Sequence, residues 1–145
     1  MSIHYATDAA IAALARGFLD LTLPKSQWTH AAHFATTLWL MRYAPERDPA
    51  RAMPGLIRAY NESVGGVNSD TAGYHETITQ ASIRAARAFL AGRPPGEPLH
   101  ASVDALMAGP FGRSDWPFVY WSRARLLSVE ARRCWIEPDL EPLPF

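Results

Sequence analysis

The chain is poor in the features that most quickly place a protein. It has one cysteine, Cys134, among 145 residues. A single thiol excludes an internal disulfide and a cysteine-built zinc cage. Between Arg133 and Trp135 it reads as a packing residue rather than a nucleophile. Neither charge sign is in excess, with 14 Lys and Arg against 14 Asp and Glu. The basic stripe of a nucleic-acid binder is therefore missing. Arg123, Arg125, Arg132 and Arg133 do cluster, but Glu130, Glu137 and Asp139 interleave with them, a pattern that predicts ion pairs on helix surfaces. No apolar run reaches the length of a membrane span, and the stretch from Phe34 to Tyr43 is broken by Arg42. The opening residues, Met1 to Ala6, lack the basic region and apolar run of a signal peptide. The expectation is a soluble, cytoplasmic chain that meets neither nucleic acid nor membrane. β-Branched alternation and internal repeats are missing too, which predicts an all-α class.

What the chain does have is helical periodicity with clear punctuation. Hydrophobic residues make up 48% and charged residues 19%, enough for one helical domain, 1–145, with a substantial core. A first helix is predicted from Thr7 or Asp8 to about Leu21, with Ile11, Leu14, Phe18 and Leu21 on one stripe and Leu23-Pro24 as its stop. Thr29 caps a second, His30 to Tyr43, which Ala44-Pro45 ends. Asp48-Pro49 starts a third towards Ser63, and Pro54-Gly55 inside it predicts a kink or a restart. After the glycine loop Val64 to Asn68, Ser69, Asp70 or Thr71 caps a fourth helix reaching Ala91. The breaker-rich segment Gly92 to Pro98 precedes a short helix, Leu99 to Met107. Two more short helices follow, Trp116 to about Arg125 and, capped by Ser128, to Trp135. In the first of these, Trp116, Tyr120 and Trp121 are candidates to line a pocket, but Trp116, Tyr120 and Arg123 share a face, which favours aromatic core. The tail Pro138 to Phe145 is extended, with Leu140, Leu143 and Phe145 as anchors. The architecture expected is a four-helix bundle-like core with additional short C-terminal helices and a Pro-rich tail.

Three of the five histidines fall in two stretches, Trp28-Thr-His-Ala-Ala-His33 and Gly73-Tyr-His-Glu-Thr77. On a helix His30 and His33 point about 60° apart and rise about 4.5 Å, so they share a face. If the four helices alternate in direction, the second and fourth are parallel and begin at the same end. His75 then joins His30 and His33 at one mouth, where the third helix also ends with Tyr60, Asn61 and Glu62. His4 and His100 read as surface residues, and Trp28 as a packing anchor ahead of the cap.

Three imidazoles with a carboxylate or water suit a divalent transition metal, zinc first. On this reading His30, His33 and His75 are metal ligands and Glu76 is the general base acting on an ion-activated water. Glu62, Asn61, Tyr74 and Asn68 would bind a small-molecule substrate for hydrolysis or proton transfer. A different reading makes the same helix starts, with Gly65-Gly66, Asn68, Ser69 and Thr71, a non-catalytic site for a small anion. In the plainest reading the histidines are buried and bonded to neighbouring cap residues. The Pro-rich tail and the aromatic C-terminal helices also allow a structural homodimer.

Trp28-Thr-His-x-x-His33, Tyr60-Asn61, Gly73-Tyr-His-Glu-Thr77 and Glu137-Pro-Asp-Leu140 together resemble a family of small bacterial proteins of no established activity, over most of the chain. The resemblance implies neither a reaction nor residue roles. DinB-like metal-binding bundles also gather histidines between helices, an analogy of architecture without a matching sequence pattern.

Overall fold

In the computed structural model, which describes residues 3–145, Thr7 starts the first helix by accepting the Ala10 amide on its hydroxyl. Helix α1 runs Asp8–Leu19, and Ile11, Leu14, Ala15 and Phe18 are buried along it. It stops short of Leu21. Leu21 takes φ 62, while the Thr22 amide bonds the Gly17 carbonyl at 2.9 Å and the Leu21 amide bonds Phe18 at 3.3 Å. This is a Schellman closure with leucine where glycine is usual.

Helix α2 is His30–Tyr43, with Thr29 accepting the Ala32 amide at 3.2 Å. Helix α3, Pro49–Ser63, begins on Asp48 and passes through Pro54 as one element, without the restart its sequence suggested. Proline has no amide to give the carbonyl four residues back. That carbonyl belongs to Ala50, and Gln80 of the next helix donates Nε2 to it at 2.9 Å. A neighbouring helix thus supplies the bond that Pro54 cannot make.

Helix α4 is Glu76–Ala91 and its cap is His75, several residues beyond the predicted Ser69, Asp70 or Thr71. Gly73 shows why the loop continues so far. Its φ is +81, and a Cβ there would collide with the Val67 carbonyl and lie 2.7 Å from Asn68 Oδ1. Asn68 holds the turn closed by accepting the Tyr74 amide at 3.1 Å and donating to the Arg58 carbonyl at 3.0 Å.

The helices alternate in direction. Phe18, late in α1, stacks on Trp28 just before α2, Tyr60, late in α3, lies 5.3 Å from the same Trp28, and Arg87, late in α4, pairs with Asp48 at the start of α3. Helices α2 and α4 are therefore parallel and begin at the same end. Helix α5, Leu99–Ala108, has no cap of its own. Asp8 supplies one from α1, accepting the Leu99 and His100 amides at 3.0 and 2.8 Å and pairing with His100 Nδ1 at 2.7 Å. His100 is accordingly tied into the fold rather than a free surface residue. Leu99, Val103 and Leu106 join the cluster that holds Ile11, Phe18 and Leu38, so α5 belongs to the bundle core.

The C-terminal third departs most from the sequence reading. Instead of one helix from Trp116 to Arg125, the chain makes a 3-10 turn, Trp116–Val119, and a short α6, Arg123–Leu126; α7, Val129–Arg133, follows on Ser128. Trp121, fully buried, is surrounded by Trp116, Leu126, Ala131, Ile136 and Ala81 of α4. Leu143 and Phe145 pack against this second cluster, whereas the Leu140 side chain is 56% exposed and the residue holds the tail only by its amide, which donates to the Tyr120 carbonyl at 2.9 Å. Cys134 is exposed, which corrects its reading as a packing residue. Among the described residues no helix is long and apolar enough to cross a membrane.

Candidate functional site

The common end of α2 and α4 opens into a cavity of about 530 Å³, walled by α2, α3, α4 and the loop between α3 and α4. Each wall follows from helical spacing. His30, His33, Phe34 and Thr37 line it from α2, Met53, Ile57 and Asn61 from α3, and Ile78, Thr79, Ser82 and Ile83 from α4. Because α3 runs against the other two, the floor gathers buried Phe34, Met53, Ile57 and Ile83. The rim carries exposed Lys25, Val67, Gly73 and Ser114. The cavity thus has an apolar floor and a mixed rim whose polar groups are Lys25 and Ser114.

His30, His33 and His75 all line it, so the gathering expected from parallel helices does occur. Their hydrogen bonds make them unequal. His75 caps α4 by accepting the Ile78 amide on Nδ1 at 3.2 Å. Its Nε2 meets the Leu126 carbonyl at 2.8 Å. A carbonyl only accepts, so Nε2 carries the proton and both ring nitrogens are used. Burial, as the largest influence, pushes its pKa down and keeps it neutral. In this arrangement His75 has no lone pair for an ion. Among the described residues no group of three or more His, Cys, Asp or Glu side chains is placed to hold a metal. The three histidines share a cavity without forming a ligand set.

His30 Nε2 lies 2.7 Å from the Phe111 carbonyl and by the same reasoning donates to it. Phe111 sits in the turn Pro110–Gly112, which packs so tightly that a Cβ on Gly112 would strike the Met107 carbonyl. The end of α5 therefore aims His30. His33 is different again. Its ring lies against Trp28, with centroids 4.0 Å apart, and Trp28 stacks on Phe18 at 4.3 Å. Among the described residues no hydrogen bond reaches the His33 ring, which is half-buried and lines the cavity. Burial first, and the charge of nearby His30 second, push its pKa down to about 4. His33 is thus a neutral imidazole with no partner at neutral pH. The buried indole N–H of Trp28 beside it also lacks a partner.

The proposed carboxylates do not face the cavity. Glu76 accepts the Tyr74 hydroxyl at 2.9 Å and is absent from the lining. Burial and the Glu76 charge push the Tyr74 pKa up, so the phenol stays protonated and the pair remains closed. Arg58 covers the Tyr74 ring at 4.3 Å, and Arg132 donates to the Gly73 carbonyl at 3.1 Å, which fixes this corner further. Glu62 is exposed, at 3.4 Å from the Asn68 amide. Asn61 lines the cavity but donates its amide to Asn68 at 3.0 Å. Asn68 is a clamp for the loop, and Ser69 and Thr71 bond to each other on its exposed side. Of the loop groups proposed as an anion cradle, only Gly66 reaches the lining.

Sequence reasoning missed Lys25, Ser114, Thr79 and Ser82 as lining residues, and of its aromatic pocket candidates Trp116 does line the cavity. Thr79 and Ser82 had a signal, since they fall on the face of α4 that carries Ile78 and Ile83. Lys25 and Ser114 had none, because their place depends on how distant segments fold over the rim. No protein-family model, no curated protein and no solved structure matches the chain. The resemblance to a small bacterial family rests on its four stretches alone.

Proposed function

We propose that this protein binds a small, largely apolar organic molecule in the cavity between α2, α3 and α4. The observation that carries the reading is the pairing of an apolar cavity of about 530 Å³ with a half-buried imidazole, His33, that no protein group hydrogen-bonds among the described residues. Small-molecule sites have this build, an apolar chamber of about 300–1,000 Å³ with a few polar groups that orient the guest. The buried indole N–H of Trp28, against which His33 lies, is also without a partner there, and a bound molecule gives both groups one. His30, aimed by Phe111, is the second orienting group. The pair can move a proton on a bound molecule, but the carboxylate base suggested by the sequence is occupied elsewhere, so binding is the primary function.

Amide NMR spectra of the labelled protein, titrated with a fragment set of neutral aromatic and aliphatic molecules, test the reading. Shifts should be confined to residues lining the cavity and disappear in Ser82→Trp, which fills it. Shifts scattered over the surface, or unchanged in that variant, would reject it. Zinc added to the same sample tests the ion reading directly. Stoichiometric, micromolar or tighter shifts at His30 and His33 would restore a metal to the site.

A further inference from the structure

We infer that the molecule bound is a short aliphatic monocarboxylate, with its head at His33 and Lys25 and its chain among Met53, Ile57 and Ile83. The inference rests on the small-molecule reading above and names the chemical class of the guest.

Charge is the first argument. Among the described residues Lys25 is the only one lining the cavity with a permanent charge, and it stands at the rim. Among the described residues no acidic side chain lines the cavity. The nearby carboxylates are directed elsewhere, Glu76 onto the Tyr74 hydroxyl and Glu62 onto the outer side of the loop beside Asn68. Helices α2 and α4, of 14 and 16 residues, both start at this end. Their two positive ends add to the same potential, offset in part by the single negative end of α3 at this mouth. An ammonium head would meet positive charge with no counter-ion, whereas a carboxylate meets a complementary field.

Hydrogen bonding is the second, independent argument. His33 is half-buried, lines the cavity and, among the described residues, has no hydrogen-bond partner in the protein. The partner its N–H lacks is an acceptor, and a carboxylate oxygen is the acceptor that forms the strongest bond with it. The Ser114 hydroxyl at the rim adds a donor for the second oxygen or its water. The alternative acceptor, an uncharged hydroxyl or carbonyl, would use His33 but not Lys25 or the helix ends.

Size is the third. From His30 to Thr37 the α2 wall rises about 10 Å, which matches an extended chain of about eight carbons. The floor that receives its far end is buried and apolar, with Phe34, Met53, Ile57 and Ile83. A dicarboxylate would push its second charge into that floor, where nothing compensates it.

Calorimetry at pH 7.5 with sodium octanoate, 1-octanol and octylamine tests the class. Octanoate should bind about tenfold or more tightly than octanol, and octylamine should give no measurable heat. His33→Phe and Lys25→Gln should each weaken octanoate severalfold, and Lys25→Gln should leave octanol within about twofold. If octanol binds as well as octanoate, or octylamine binds best, the carboxylate head is overturned and the cavity reading stands. If none of the three binds, both are overturned. Melting curves recorded on each variant identify a failure to fold, and the series on the unaltered protein decides the matter even then.

Discussion

The first turn of α2 and the first turn of α4 lie at the same end of the bundle, and each brings a histidine to one cavity. At α4, His75 has a protein partner on both nitrogens, one capping its own helix and one joining it to Leu126. At α2, His33 has a partner on neither, and a threonine, Thr29, does the capping. The same side chain near the start of two parallel helices is a structural pin in one and an unpartnered chemical group in the other. Side-chain type and proximity do not make a site; what matters is which lone pairs and protons the fold leaves unused.

This contrast can be broken first at His75. His75→Ala removes a helix cap and leaves the Leu126 carbonyl unpaired, so urea unfolding should show a loss of about 3 kcal/mol. His75→Asn, which can cap but cannot reach Leu126, should recover about 1 kcal/mol of it. A loss no larger than that of a surface substitution would mean that His75 is not a pin.

The next effect is in pH. The folded His33 pKa of about 4 lies below the unfolded value near 6.5. The unfolded chain therefore binds the proton first, and stability falls as pH drops from about 6.5 towards 4, by up to roughly 3 kcal/mol from this group. His75, also depressed by burial, acts in the same direction. Stability measured between pH 7 and 4 should drop less steeply in His33→Leu and retain the part due to His75. An unchanged slope would contradict the lowered pKa of His33.

Thr77, the second residue of α4, sharpens the comparison. Its hydroxyl lies 2.7 Å from the Ala131 carbonyl and 2.9 Å from that of Cys134, and it accepts the Ile136 amide at 3.3 Å. Thr77→Val should cost about 2 kcal/mol and loosen the Trp121 cluster, seen as faster amide exchange at Ile136. The smallest effect belongs to His33→Leu at pH 7.5. No hydrogen bond is lost there, so the change should stay within about 1 kcal/mol, checked by thermal and urea unfolding.

The sequence made α2 legible at both ends because its signals are local, a Thr29 cap at one end and Ala44-Pro45 at the other. The all-α class and the alternating bundle were legible for the same reason. The start of α4 was not. Histidine is not among the usual caps, and the loop before it is held by Asn68 across Gly73, a closure that no spacing announces. The contrast between His33 and His75 was least legible of all. It depends on the Leu126 carbonyl, 51 residues away, and on the Phe111 carbonyl, 81 residues from His30. Pro54 teaches the same point, since the remedy for its missing amide is Gln80 on another helix. Sequence periodicity brought the histidines to one end, and only non-local bonds distinguished them.

The most direct measurement is the ring-nitrogen NMR spectrum of histidine-labelled protein, recorded with and without octanoate and across pH 7.5 to 4. The account predicts a fixed Nε2–H tautomer for His75 that octanoate does not disturb, and His33 resonances that move when the ligand is added. A His75 ring that shifts with the ligand as much as His33 does, or a His33 ring that ignores it, would contradict the division of roles between the two helix starts.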